Sequence, residues 1–423
     1  MIFEPILALG IKQGLYMLYQ LHELQRSFLT PVMQWADMSS KLFTNPVSPL
    51  AHTPFSQRIA AGYELMYRLG KDYEKPQFDI KSVLVQGESV EIREHVVVTK
   101  PFCRLIHFKK EATGLQQPKV LLVAPLSGHH STLLRDTVRG LLAEHDVYIT
   151  DWTDARMVPL TEGPFHLDDY IYYVQEFIRL LAPDLHVISV CQPTVPVLAA
   201  ISLMATAKDP HMPKTMTMMG GPIDPRRSPT QVNNLATEKK FSWFENTVIY
   251  AVPPNYPGFG RKVYPGFLQH AGFIAMNPGR HAQSHREFYM HLVTGDDEPA
   301  EGHRQFYNEY NAVLDMPAEY YLDTIRTVFQ EFLLPRGMWK VNGELVKPAT
   351  IRKTALMSIE GELDDISGQG QTAAAHDLCT GIPKSHHRHL TIEGAGHYGI
   401  FSGRRWREKV YPQVRDFIAK YAG

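Results

Sequence analysis

The stretch His186-Val-Ile-Ser-Val-Cys191-Gln-Pro-Thr-Val-Pro196 decides how this chain is read. Its first half is apolar and β-branched enough for a buried parallel strand. From Val195 to Ala205 the pattern becomes that of a core-facing helix. A sharp turn between the two would lift the Cys191 thiol out at the carboxyl end of a sheet, where open α/β folds bind ligands. This is the layout of a nucleophile elbow with cysteine in place of serine. Such elbows carry small residues two positions to either side of the nucleophile; here those positions hold Ser189 and Pro193. Ser189 is small. Pro193 has no N–H, but the oxyanion donor of an elbow is the amide directly after the nucleophile, here Gln192, so that donor is kept. Pro193 itself then falls in the first helical turn, where amides have no intrahelical partner.

The whole chain has 423 residues, 44% hydrophobic and 21% charged, which predicts one large elaborated domain or two. A net charge of −1 gives no basic field for nucleic acid. The cysteines, Cys103, Cys191 and Cys379, are odd in number and widely spaced. That argues against a disulfide framework or a structural zinc site and points to a reducing compartment. The start, Met1-Ile-Phe-Glu-Pro5, lacks a cationic segment, and the apolar stretch after it is broken by Lys12, Gln13 and Gln20. Neither a secretion signal nor a membrane span is expected.

Residues 1 to about 75 carry apolar and aromatic residues at helical spacing, from Leu15, Tyr16, Leu18, Leu21 and Leu24 through Phe28, Met33 and Trp35 to Tyr63 and Met66. Core packing is the expected use of these stripes, and contact with a hydrophobic surface is the alternative. From Val83 the period changes to that of strands. Strand Val120–Ala124, helix Thr132–Leu142, strand Asp146–Thr150, helix Leu167–Leu181 and strand Leu185–Val190 then alternate as βαβ units do, predicting a doubly wound parallel sheet. In this scheme the loop after Ala124 supplies the second oxyanion amide, from Leu126, with Ser127 next. The adjacent His129 and His130 read as loop residues rather than metal ligands. After Gly220-Gly221-Pro222 the alternation stops for about 130 residues. An inserted cap is expected there, aromatic and rich in Pro and Gly in its first part and helical from Phe306 to Phe332. The division is 1–80 helical extension, 81–221 first part of the core, 222–349 cap and 350–423 second part of the core.

The partners of a triad follow the cap in the order nucleophile, acid, histidine. Strand Thr354–Ile359 leads into Glu360-Gly-Glu-Leu-Asp364-Asp365-Ile366, and strand His389–Ile392 into Glu393-Gly-Ala-Gly-His397-Tyr-Gly399. His397 lies between glycines in a loop able to swing an imidazole over Cys191. Asp364 is favoured as the carboxylate that orients it, with Asp365 as the alternative. A Cys191, Asp364 and His397 set needs neither metal nor cofactor.

Four stretches, Ile188-Ser-Val-Cys-Gln-Pro-Thr-Val-Pro196, Tyr307-Asn-Glu-Tyr-Asn-Ala-Val-Leu-Asp-Met-Pro-Ala-Glu-Tyr-Tyr-Leu322, Gly361-Glu-Leu-Asp-Asp-Ile366 and Gly394-Ala-Gly-His-Tyr-Gly399, resemble the intracellular polyhydroxyalkanoate (polyhydroxybutyrate) depolymerases. The resemblance covers nearly the whole chain. It implies an α/β-hydrolase fold with an inserted cap, a cysteine triad on Cys191, Asp364 and His397, and cytoplasmic action on amorphous storage granules whose polymer is the partner. Secreted depolymerases, by contrast, use a serine and carry a separate polymer-binding domain. Two other readings stand beside it. A polymer synthase would resemble Gly-x-Cys-x-Gly, a pattern that Pro193 breaks. A non-catalytic granule-coat protein would have no reason to keep the triad in fold order.

Overall fold

The structure, a computed structural model, describes residues 3–422, with side chains described from Met17 onward; those of Leu15 and Tyr16 lie outside the described residues. Two helices come first, α1 (Phe3–Thr44) and α2 (Ser56–Gly70). Seven strands follow: β1 (Ser82–Val85), β2 (Glu88–Thr99), β3 (Cys103–Lys110), β4 (Lys119–Val123), β5 (Asp146–Trp152), β6 (Leu185–Val190) and β7 (Thr215–Met219). Helices α3 (Arg135–Leu142), α4 (Leu167–Leu181) and α5 (Thr194–Thr206) connect the last of them.

Local chemistry explains these elements. In α4 the buried residues Leu167, Tyr170, Ile171, Val174, Phe177, Ile178 and Leu181 recur every three or four positions, so one face packs on the sheet. Its start is fixed by the Asp169 carboxylate, which accepts the His166 N–H at 2.7 Å. Helix α5 is apolar all round and buried from Thr194 to Met204, as a helix enclosed by other layers must be. Strands β6 and β7 are buried at every position, which is the signature of a sheet covered on both faces.

Between β7 and the next long strand the chain leaves the main sheet. It forms α6 (Gln231–Glu238), α7 (Phe241–Thr247), α8 (Gly266–Met276), α9 (Pro278–Thr294), α10 (Asp297–Tyr310) and α11 (Ala318–Thr324), the last running on as a wide turn to Gln330. Short strands β8 (Tyr250–Ala251), β9 (Lys262–Tyr264) and β10 (Met316–Pro317) make a small sheet, and β11 (Lys340–Val341) pairs with β12 (Glu344–Leu345). The sequence reading placed no helix between 222 and 305. Four helices and most of a fifth lie there because Gly266, Gly272 and Pro278 sit at helix starts or on open faces rather than breaking the elements.

Strands β13 (Ala355–Gly361) and β14 (His387–Ile392) then return to the main sheet, whose order is β1-β2-β3-β5-β4-β6-β7-β13-β14. Every pair from β5 to β14 is parallel; β3 runs antiparallel to both β2 and β5. The order reverses around β4, so the carboxyl ends of β4, β6, β13 and β14 open on one edge, where an α/β sheet binds ligands.

The helical start departs from the expectation of core packing. Tyr19, Met33 and Ala36 are buried, but Leu18, Leu21, Leu24, Phe28 and Trp35 are exposed. Helix α1 carries apolar residues around more of its circumference than α2 and the body cover.

Candidate active site

Strand β6 ends at Val190, and the chain turns at Cys191 with φ 67°, a left-handed conformation that costs a non-glycine residue on the order of 1–2 kcal/mol. The turn is held from both sides. The Cys191 N–H donates to Met219 O at 2.7 Å, and the amides of Thr194 and Val195 close on the carbonyls of Cys191 and Gln192 at 3.2 and 3.3 Å. A Cβ at Gly221 would fall 1.8 Å from Thr194 Oγ1 and 2.5 Å from Cys191 O, so only glycine lets the end of β7 pass under the elbow. The sequence reading gave this glycine no role. A glycine pair directly after a buried strand was the available signal.

The loops that carry the acid and the histidine are laced together. Leu363 N–H donates to Ala395 O at 2.9 Å, Glu362 N–H to Ile392 O at 3.1 Å, and Gly394 N–H to the Glu362 carboxylate at 2.7 Å. Glu360, buried, accepts the amides of Gly370, Thr372 and Ala373 and so fixes the chain beyond the acid loop. His397 Nδ1 lies 2.8 Å from Asp364 Oδ2, and both residues are buried. Asp364 Oδ1 accepts the amides of Ile366 and Ser367 at 2.9 and 2.8 Å. His397 and Cys191 line the same cavity, and the imidazole is near enough to Cys191 to feel charge on its sulfur. Burial works to lower the His397 pKa, but the Asp364 carboxylate and Cys191 outweigh it and raise the group well above its ordinary value near 6.5. Asp365 points elsewhere: it is exposed and accepts a hydrogen bond from Asn277 Nδ2 at 2.9 Å.

The amides of Gln192 and Leu126 find no protein acceptor among the described residues. Both residues line a cavity of about 560 Å³, which also takes in Cys191, His397, Phe273 of α8 and Tyr320 of α11. The cavity is therefore walled jointly by the sheet edge and by the segment between β7 and β13. His129 and His130 are not free loop residues. His129 stacks on Phe273 with centroids 4.8 Å apart and lies 3.1 Å from Tyr310 O, and both imidazoles are buried, with pKa values pushed down by burial to about 4 and about 3. Among the described residues no group of three or more His, Cys, Asp or Glu could hold a metal ion, and no helix is long and apolar enough to cross a membrane.

Strand order and elbow together define an α/β-hydrolase. Over residues 220–422 the chain matches the family described as PHB de-polymerase C-terminus. No curated protein matches it. Similar solved structures include a putative lipase from Acinetobacter baumannii AYE, at 11% identity over 78% of this chain and 93% of that one, TM-score 0.42. A hydrolase from Pseudomonas aeruginosa PA01 is similar at 12% identity over 77% and 98%, TM-score 0.46. The 2-hydroxy-6-oxo-6-phenylhexa-2,4-dienoate hydrolase of Rhodococcus sp. strain RHA1 is similar at 13% identity over 78% and 99%, TM-score 0.41.

Proposed function

We propose that this hydrolase cleaves the ester bonds of amorphous poly(3-hydroxybutyrate) or a related polyhydroxyalkanoate in cytoplasmic storage granules, with Cys191 as nucleophile. The observation that carries the reading is that Cys191 and His397 line one apolar-walled cavity, with the Asp364 carboxylate 2.8 Å behind the imidazole. His397 takes the Cys191 proton as the sulfur attacks the ester carbonyl, and Asp364 holds the imidazole in its tautomer and stabilises the imidazolium. The tetrahedral oxyanion accepts the amides of Gln192 and Leu126. Collapse expels the alcohol end of the chain, which takes the proton from His397, and leaves a thioester on Cys191. Water, deprotonated by His397, attacks that thioester and frees a 3-hydroxy acid or oligomer with the thiol restored.

Residues 222–349 act as the cap that shapes the cleft over the core segments 81–221 and 350–423. Three unpaired cysteines favour a reducing compartment. The test is to replace Cys191 with Ala and to trap the intermediate in the native protein. Hydrolysis should vanish with the fold intact, and mass spectrometry of rapidly quenched native protein should place a 3-hydroxyacyl group on Cys191. An adduct elsewhere, or a C191A protein that still hydrolyses, overturns the assignment.

A further inference from the structure

Of the polar side chains that line the cavity beside Cys191, Gln192 and Tyr320 are buried with no hydrogen-bond partner for any side-chain atom, and the hydrolytic steps above use neither side chain. Gln192 contributes its backbone amide to the oxyanion, yet its side chain is also inside: the residue is 8% exposed, and neither Oε1 nor Nε2 has a hydrogen-bond partner. The hydroxyl of Tyr320, a residue 1% exposed, is likewise without one. Both line the same cavity as Cys191; Tyr320 is close enough to interact with Gln192 and with the Cys191 sulfur, but the two side chains do not meet at hydrogen-bond distance. The Tyr320 ring is fixed by Tyr170 and Phe165, with centroids 5.5 and 6.0 Å away, so its hydroxyl has a set position.

A buried polar group left unpaired is destabilising, and apolar residues of the same shape would remove that cost. The fold therefore gains nothing from these groups, and their use lies in what enters the cavity. Much of the surrounding wall is apolar, with Leu133, Phe244, Met276, Ile325 and Phe329 on it, so a polar pair at the nucleophile marks a fixed place for an oxygen or hydroxyl of the ligand.

We propose that Gln192 and Tyr320 recognise the oxygen on the third carbon of the acyl unit joined to Cys191, making the site selective for 3-oxygenated acyl esters over plain ones. In a polyester of 3-hydroxy acids that oxygen stands three bonds from the reacting carbonyl carbon. A free hydroxyl there donates to Gln192 Oε1 and accepts from the Tyr320 hydroxyl. A linking ester oxygen or its carbonyl accepts from Gln192 Nε2 or from the Tyr320 hydroxyl. The inference rests on Cys191 being the nucleophile, and its test separates the two.

The 4-nitrophenyl esters of 3-hydroxybutyrate and of butyrate share one leaving group and differ only in the oxygen at issue. The native protein should favour the hydroxylated ester in kcat/KM. Tyr320→Phe and Gln192→Met should each lower that preference by roughly tenfold, the size expected when a substrate group loses a built hydrogen-bond partner. Equal losses on both esters, or no preference in the native protein, overturn the proposal. A second measurement does not depend on turnover: calorimetric affinity for racemic 3-hydroxybutyrate against butyrate, in native protein and in Y320F. If neither ester is hydrolysed, the nucleophile assignment fails. The affinity ratio still decides the polar pair, which is upheld if it falls in Y320F and refuted if the native protein binds both acids alike.

Discussion

At the scale of residues, geometry separates two adjacent carboxylates that sequence leaves as rivals. Asp364 faces His397 at 2.8 Å, while Asp365 faces Asn277 across the surface. If Asp364 orients the imidazole, Asp364→Asn leaves the shape intact but offers an amide where a carboxylate should accept the Nδ1 proton. Hydrolysis should then fall by on the order of 10⁴-fold, the scale seen when such a triad acid is neutralised. Asp365→Asn should cost less than about threefold, because it removes one exposed contact that does not touch the imidazole. Steady-state rates on a soluble ester read both; a more severe Asp365 variant would move the triad acid by one residue.

At the scale of elements, α1 presents a feature that its packing does not require. Met17, Leu21, Leu24, Phe28, Val32, Trp35, Met38 and Leu42 recur every three or four residues and are all exposed, Phe28 at 79% and Met38 at 65%. At 1.5 Å per residue the stripe runs about 38 Å along one face. Its opposite face is anchored: the Tyr19 hydroxyl donates to Asp315 at 2.5 Å, and His22 stacks on Phe267 of α8 with centroids 4.0 Å apart. The water-insoluble polyester proposed as substrate would offer an apolar surface that such a stripe fits. Replacing Leu24 and Phe28 together with Asp should reduce the rate on suspended polymer particles at least tenfold, leaving hydrolysis of a soluble ester within about twofold, since burial of two such side chains contributes on the order of 2–4 kcal/mol. Equal effects on both substrates would remove α1 from polymer contact.

At the scale of the whole molecule, the cleft is covered. If the substrate is a polyester cleaved at Cys191 as proposed, a chain segment must enter between the sheet edge and the helices of 222–349, and only mobile polymer can supply it. Amorphous granules should release 3-hydroxy acids at least tenfold faster than crystalline polymer of equal surface area. Comparable rates would contradict both this use of the cap and the granule assignment.

The alternation of β-branched runs and helical faces was legible in the sequence because those periods are local: α4 and β6 have the bounds that their residues predict. So was the order of Cys191, acid and His397, since each follows a strand that is readable alone. The helices α6 to α9 were not, because glycines and prolines that sit harmlessly at starts and open faces look like breaks to a local reading. Nor was the exposure of α1, which depends on how much of its circumference other elements cover. The choice between Asp364 and Asp365, the tight passage of Gly221 and the unpaired Gln192 and Tyr320 come from segments far apart in sequence meeting across the edge of one sheet. Local pattern determined which elements form and in what order; which side chains face one another was decided only by their packing.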